Sequence, residues 1–267
     1  MLRHRIFGLI GGPSFKVMDD YSYSLSGTNL TFRVPKTHID LDKEMPSNIY
    51  INDKVFIKEY IDSFGPAIFI PVNKWRWSYS SNILYNNAAG SVSLFVRVRK
   101  LKDGKTIPDD ESMRAYLTWE YDDYYENEES QGACGFNRSQ RTMALDYYRR
   151  RYGERVDYSD ALSEYLDNIL MTVPQADDFK NFKGINNDWT YFFLKKEMKF
   201  PTSHYCLRLD EKNILDFFFT YIHDSAELKD EILKKRHKLE QRIMDTVTVD
   251  FHDALTVNDT SSGLLNP

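Results

Sequence analysis

Hydrophobic and polar positions alternate most regularly between Ser91 and Lys100, where Val92, Leu94, Val96 and Val98 interleave with Ser93, Phe95, Arg97 and Arg99. A period of two sends successive side chains to opposite faces of an extended chain, so this stretch predicts a strand. The same pattern predicts strands from Tyr21 to Leu25 and from Leu30 to Val34, with a turn at Gly27-Thr28-Asn29 and a stop at Pro35. Shorter apolar runs predict strands at Ile49 to Ile57, Ala67 to Pro71, Lys74 to Tyr79, Trp189 to Leu194, His204 to Leu209 and Ile214 to Ile222. Residues 210–213 supply the turn between the last two, and Thr246 to Phe251 predicts a closing strand.

The period becomes helical in the middle of the chain and again near its end. Asp109 to Glu111 form the acidic start of a helix running to about Glu126, because carboxylates suit the positive end of the helix dipole. Ala161, Leu162, Tyr165, Leu166, Ile169 and Leu170 recur at helical spacing ahead of Pro174. Asp224 and Glu227 have the spacing of an N-cap and its N3 partner, and Leu228, Ile232, Leu239 and Ile243 then mark one stripe. Strands at both ends with helices between them predict an α+β fold, an antiparallel β-sheet packed with helices. There is no internal repeat and no linker, which predicts a single domain over residues 1–255 with a helical, charged insertion at about 105–175; residues 256–267 read as a flexible tail.

A chain of 267 residues that is 42% hydrophobic and 15% aromatic can bury a sizeable core, which excludes disordered and fibrous classes. Two cysteines cannot supply a disulfide framework, so stability comes from packing and a reducing compartment fits. The apolar run around Ile6 to Ile10 ends at Gly11-Gly12-Pro13, short of a signal-peptide core, and no run approaches the roughly 18 residues of a spanning helix. We therefore expect a cytoplasmic protein with no membrane partner. With 35 basic against 40 acidic side chains the net charge is −5, which works against nucleic acid as a general partner.

That charge is unevenly placed. Between Asp109 and Glu129 nine acids face Arg114 alone, whereas between Arg138 and Arg155 six arginines face Asp146 and Glu154. Two opposite blocks predict either ion pairing within the fold and solvated helix faces, or a protein-binding surface, since Trp119, Tyr121, Tyr124 and Tyr125 are interleaved with the acids.

No catalytic motif is intact. Gly104-Lys105-Thr106 resembles the end of a phosphate-binding loop, but Arg99 stands where its first glycine belongs. Cys134 lies in Gly132-Ala133-Cys134-Gly135-Phe136, with Phe136 in place of the outer glycine of a nucleophile elbow and no base assignable from sequence. His204 and Cys206 share a strand face at i,i+2, yet two ligands do not make a zinc site, and no Asp-rich calcium loop is present. We expect no metal, no cofactor and no enzymatic activity.

Tyr21 to Leu25 followed by Leu30-Thr-Phe-Arg-Val-Pro35 resembles the opening hairpin of Mog1/PsbP-like domains. Trp189-Thr-Tyr191, Tyr205 to Asp210, Ile214 to Phe219 and the helix ending Ile243-Met-Asp-Thr-Val247 are similar to the closing half of bacterial immunity proteins with that fold, which accompany toxins of the type VI secretion system. The resemblance covers about 100 residues and leaves the charged middle unmatched. It implies an immunity protein that binds and neutralises a cognate toxin by direct contact. If the middle supplies the contact surface, its residues are Trp119, Asp122, Asp123, Tyr124, Tyr125, Glu126, Glu128 and Glu129, an acidic lobe suited to a basic target. The alternatives are an effector chaperone or adaptor that holds an apolar segment, and a hydrolase using Cys134. An exposed apolar strand edge leaves a homodimer open.

Overall fold

The computed structural model describes residues 13, 15–36, 46–53, 67–70, 76–79, 90–102, 104–129, 135–153, 157–197, 200–223 and 226–251. The expectations for the N-terminal apolar run, for residues 54–57, for Cys134, for Asp224 as an N-cap and for the tail at 256–267 lie outside the described residues.

Alternation in the first third builds a small sheet. β1 (Met18–Leu25) and β2 (Thr28–Pro35) form the predicted antiparallel hairpin, turned through Ser26 and Gly27, both at positive φ. β3 (Asn48–Ile49) lies parallel to β1, and β11 (Thr248–Asp250) closes the far edge against β2, giving the order β11-β2-β1-β3.

The remaining strands form a larger antiparallel sheet: β4 (Ala67–Ile70), β5 (Arg76–Tyr79), β6 (Gly90–Lys100), β7 (Lys180–Lys183), β8 (Asp188–Glu197), β9 (Phe200–Arg208) and β10 (Asn213–His223). Its order is β4-β6-β10-β9-β8-β7, with β5 sharing the outer edge of β6. Three α-helices lie between β6 and β7 in the chain, α1 (Asp110–Glu126), α2 (Phe136–Tyr152) and α3 (Ser159–Ile169), followed by a 3-10 turn at Ala176–Asp178. α4 (Ala226–Met244) follows β10. The fold is α+β, with two sheets and four α-helices among the described residues.

The period of two decides what each face of the large sheet buries. Val92, Leu94, Val96 and Val98 of β6, with Leu215, Phe217 and Phe219 of β10, meet Leu30, Phe32 and Val34 of the small sheet and Ile243 of α4. The ring of Phe32 stands edge-on to Phe217 at 5.2 Å, which fixes the two sheets face to face. The opposite face packs under α1, where Phe192, Leu194, Cys206 and Ile214 meet Met113, Tyr116, Leu117, Tyr121 and Tyr125.

Candidate functional site

Arg97 and Arg99 sit on β6 at the positions that alternation assigns to the side away from the small sheet, and α1 covers that side. Register places Asp216 of β10 directly across from Arg97 on one side and from Cys206 of β9 on the other. Asp216 accepts from Arg97 at 2.8 Å and 2.7 Å, and lies 3.5 Å from Arg99. As an imidazolium, His204 donates from Nδ1 to Asp216 at 3.1 Å and from Nε2 to Glu197 at 2.6 Å. Tyr121 of α1 donates to the other Glu197 oxygen at 3.0 Å, and Arg99 pairs with Glu120, which also accepts from Tyr116. Three cations (Arg97, Arg99, His204) therefore face three carboxylates (Asp216, Glu197, Glu120), and His204 and Asp216 have no solvent exposure.

Burial opposes charge on these groups, and their neighbours overcome it. Burial alone would raise the Asp216 carboxyl, but His204 and Arg97 hold it far below the usual carboxylate range. Burial lowers the basicity of His204, yet Glu197 and Asp216 leave it more basic than a free histidine. Glu197 is likewise held low by His204 against the effect of burial. Burial and the Asp216 charge push the Cys206 thiol up, so it stays protonated and unreactive. With both ring nitrogens of His204 occupied by carboxylates, it has no lone pair with which to activate a nucleophile. Among the described residues no group of three or more His, Cys, Asp or Glu is arranged to hold a metal.

A second buried carboxylate lies on the other face. Glu240 of α4 is fully buried and accepts from the phenols of Tyr205, at 2.9 Å, and Tyr221. Burial and the Glu240 charge push both phenols well above their usual pKa. The pair of bonds anchors α4 to β9 and β10.

The eight residues proposed for partner contact all lie on or just after α1, and the structure divides them. Tyr125 is buried in the core under α1, and Tyr124 and Trp119 are half-buried against it. Lys105 and Lys102 lie over the Trp119 ring at 4.1 Å and 5.2 Å. Asp123 pairs with Lys102, Glu126 with Arg141, and Glu128 with Arg138 at 3.4 Å. The two charge blocks thus meet where α1 and α2 adjoin, as the pairing reading expects. Asp122, Glu128 and Glu129 are exposed to solvent.

The junction itself was not foreseen. Gly135 is the residue just before α2, at φ +67, and a Cβ there would lie 3.0 Å from the backbone nitrogen of Glu128, so only glycine lets the start of α2 lie so close to the chain leaving α1. Buried Asn137 accepts from the backbone N–H of Met171 at 2.7 Å and donates to the carbonyl of the same residue at 3.0 Å. This side chain imitates a β-ladder partner and ties the start of α2 to the chain leaving α3. Tyr148 donates to the Ala161 carbonyl at 3.2 Å and holds the last third of α2 to the first turn of α3.

Outward from these ties the helices bury little. α2 buries only Asn137 and Ala144, and α3 buries no residue at all despite its apolar stripe. Met143 and Tyr147 of α2 are 53% and 52% exposed. With Asp146, Arg150 and Arg151 they form one open face of α2. Among the described residues no helix is long and apolar enough to cross a membrane. Compared with protein-family models, curated proteins and solved structures, the chain gives no match.

Proposed function

We propose that this chain is an immunity protein with a Mog1/PsbP-like core, which binds a cognate toxin of a type VI secretion system and neutralises it by direct contact. The observation that carries the reading is the layer of α2 and α3. These helices contribute almost nothing to either hydrophobic core, yet they are tied down through Asn137 and Tyr148 and furnished with exposed tyrosine, methionine and arginine. Aromatic and arginine side chains on a rigid frame are the usual anchors of a protein interface. The β1–β2 hairpin and the run from β8 through α4 coincide with the stretches that resemble the immunity family.

A second reading, an effector chaperone, is favoured by the large sheet beyond α1. There Phe95 is 40% exposed and stacks on Phe218 at 4.8 Å, with Phe69 edge-on beside them at 6.4 Å. An apolar effector segment could lie on such a face.

The test is a pull-down with the purified chain from extracts of its source cells, followed by expression of each bound protein with and without the chain. A bound protein that stops growth alone and is harmless with the chain is the expected result. A bound secreted protein that is harmless by itself transfers the case to the chaperone, and an empty pull-down removes both.

A further inference from the structure

The two charge blocks cancel at one end of the helical layer and not at the other. Arg138 and Arg141, in the first half of α2, face Glu128 and Glu126 of the α1 end. Arg149, Arg150 and Arg151, in its last turn, have no carboxylate within ion-pair reach among the described residues. Their place at a helix C-terminus suits the dipole and accounts for positive charge there. It does not account for the apolar and aromatic groups alongside. Met143 and Tyr147 project from the same face, and Arg151 donates to the Tyr147 hydroxyl and lies over the rings of Tyr147 and Tyr152, at 5.8 Å and 5.4 Å.

This arrangement holds a guanidinium in place before anything binds it. An arginine fixed on aromatic rings loses less conformational freedom when a carboxylate arrives, and its planar fork suits a carboxylate in particular. Met143 and Tyr147, both about half exposed, offer an apolar surface beside it for an apolar side chain to cover, and Asp146 is the only acid of α2. We infer that the outer face of α2 is the docking surface of this protein, and that it takes an acidic protein surface bearing an apolar anchor. The inference rests on the toxin-binding reading and makes it specific: the contact is made by the basic half of the helical layer and not by the acids of α1.

A photo-cross-linking residue placed at Tyr147, or for comparison at Asp122, of the full chain in its source cells tests this. The protein captured from Tyr147 is then purified, and its association rate is measured with the natural chain, with Arg150→Glu/Arg151→Glu, and with Asp122→Lys/Glu129→Lys. All four positions are exposed, and circular dichroism checks that each variant is folded. We expect cross-links from Tyr147 to a segment rich in Asp and Glu, and an association rate about tenfold lower or less at low salt for the arginine variant alone. Cross-links from Asp122 only, a captured segment that is neutral or basic, capture of a second copy of this chain, or an unchanged rate for the arginine variant would each overturn the inference. If neither position cross-links while the pull-down still yields a neutralised toxin, the surface is wrong and the binding reading stands. If no toxin is found, both fall.

Discussion

Asp216 accepts from Arg97 and His204 with no exposed surface of its own, so the cost of its burial is met only while those partners stay charged. Asp216→Asn leaves two arginines and an imidazolium short of one carboxylate, and should cost about 3–5 kcal/mol of unfolding free energy in a denaturant titration. The pH dependence follows from the direction of each shift. His204 is more basic in the folded chain, so its contribution is complete below the unfolded value of about 6.5 and is lost as pH rises through the higher folded value. Asp216 is more acidic when folded, so its contribution is complete above the unfolded value of about 3.9 and is lost as pH falls through the lower folded value. Stability should therefore decline on the alkaline side of about pH 6.5, and His204→Gln should flatten that limb and also weaken the acid limb, which Arg97 and Arg99 alone would then sustain. Cys206 should resist alkylation in the native protein and react once the chain is unfolded, which peptide mapping after timed exposure to iodoacetamide would show. Little of this was readable in advance. Arg97 and Arg99 alternate with valines just as solvent-facing residues do, and only the position of α1 turns that side of β6 into an interior.

At the scale of elements, the sequence is clearest where one face of a strand is uniformly apolar, as in β6 and β10. β7 went unrecognised because Lys-Asn-Phe-Lys offers a single apolar residue, Phe182, to the core, as a short edge strand needs no more. The apolar stripe of α3 was legible, but its period says only that the helix is amphipathic, not that another element covers it. Tyr125 misled in the opposite sense: an aromatic among acids reads as an interface anchor, whereas its place on α1 turns it inward. Gly135→Ala should cost more than the usual 1–2 kcal/mol of a left-handed residue, because the new methyl also meets Glu128. Asn137→Ala removes both bonds to Met171 and should speed amide exchange across α2 and α3 while exchange in β6, β9 and β10 stays unchanged, as hydrogen–deuterium exchange by mass spectrometry would resolve.

Among the described residues two hydrophobic cores share one sheet, and each is fastened by a buried carboxylate: Asp216 of β10 beneath α1, and Glu240 on the sheet-facing side of α4. Glu240→Leu strands the hydroxyls of Tyr205 and Tyr221 away from water and should cost about 1–3 kcal/mol for each, whereas Glu240→Gln retains an acceptor and should cost less, as thermal unfolding of the pair would show. The cluster around Asp216 also has a consequence for how the chain finds its fold. A slip of β10 by one residue against β6 and β9 would carry Asp216 to the opposite face, among Val92, Val96 and Phe32, and leave Arg97, Arg99 and His204 facing aromatic carbon. Oily residues alone would tolerate that error cheaply, since one hydrophobic side chain replaces another. Here three strands can mate in a single way, as a key with one cut pattern, and the ions act less as glue for the native sheet than as a proofreading step against its near misses.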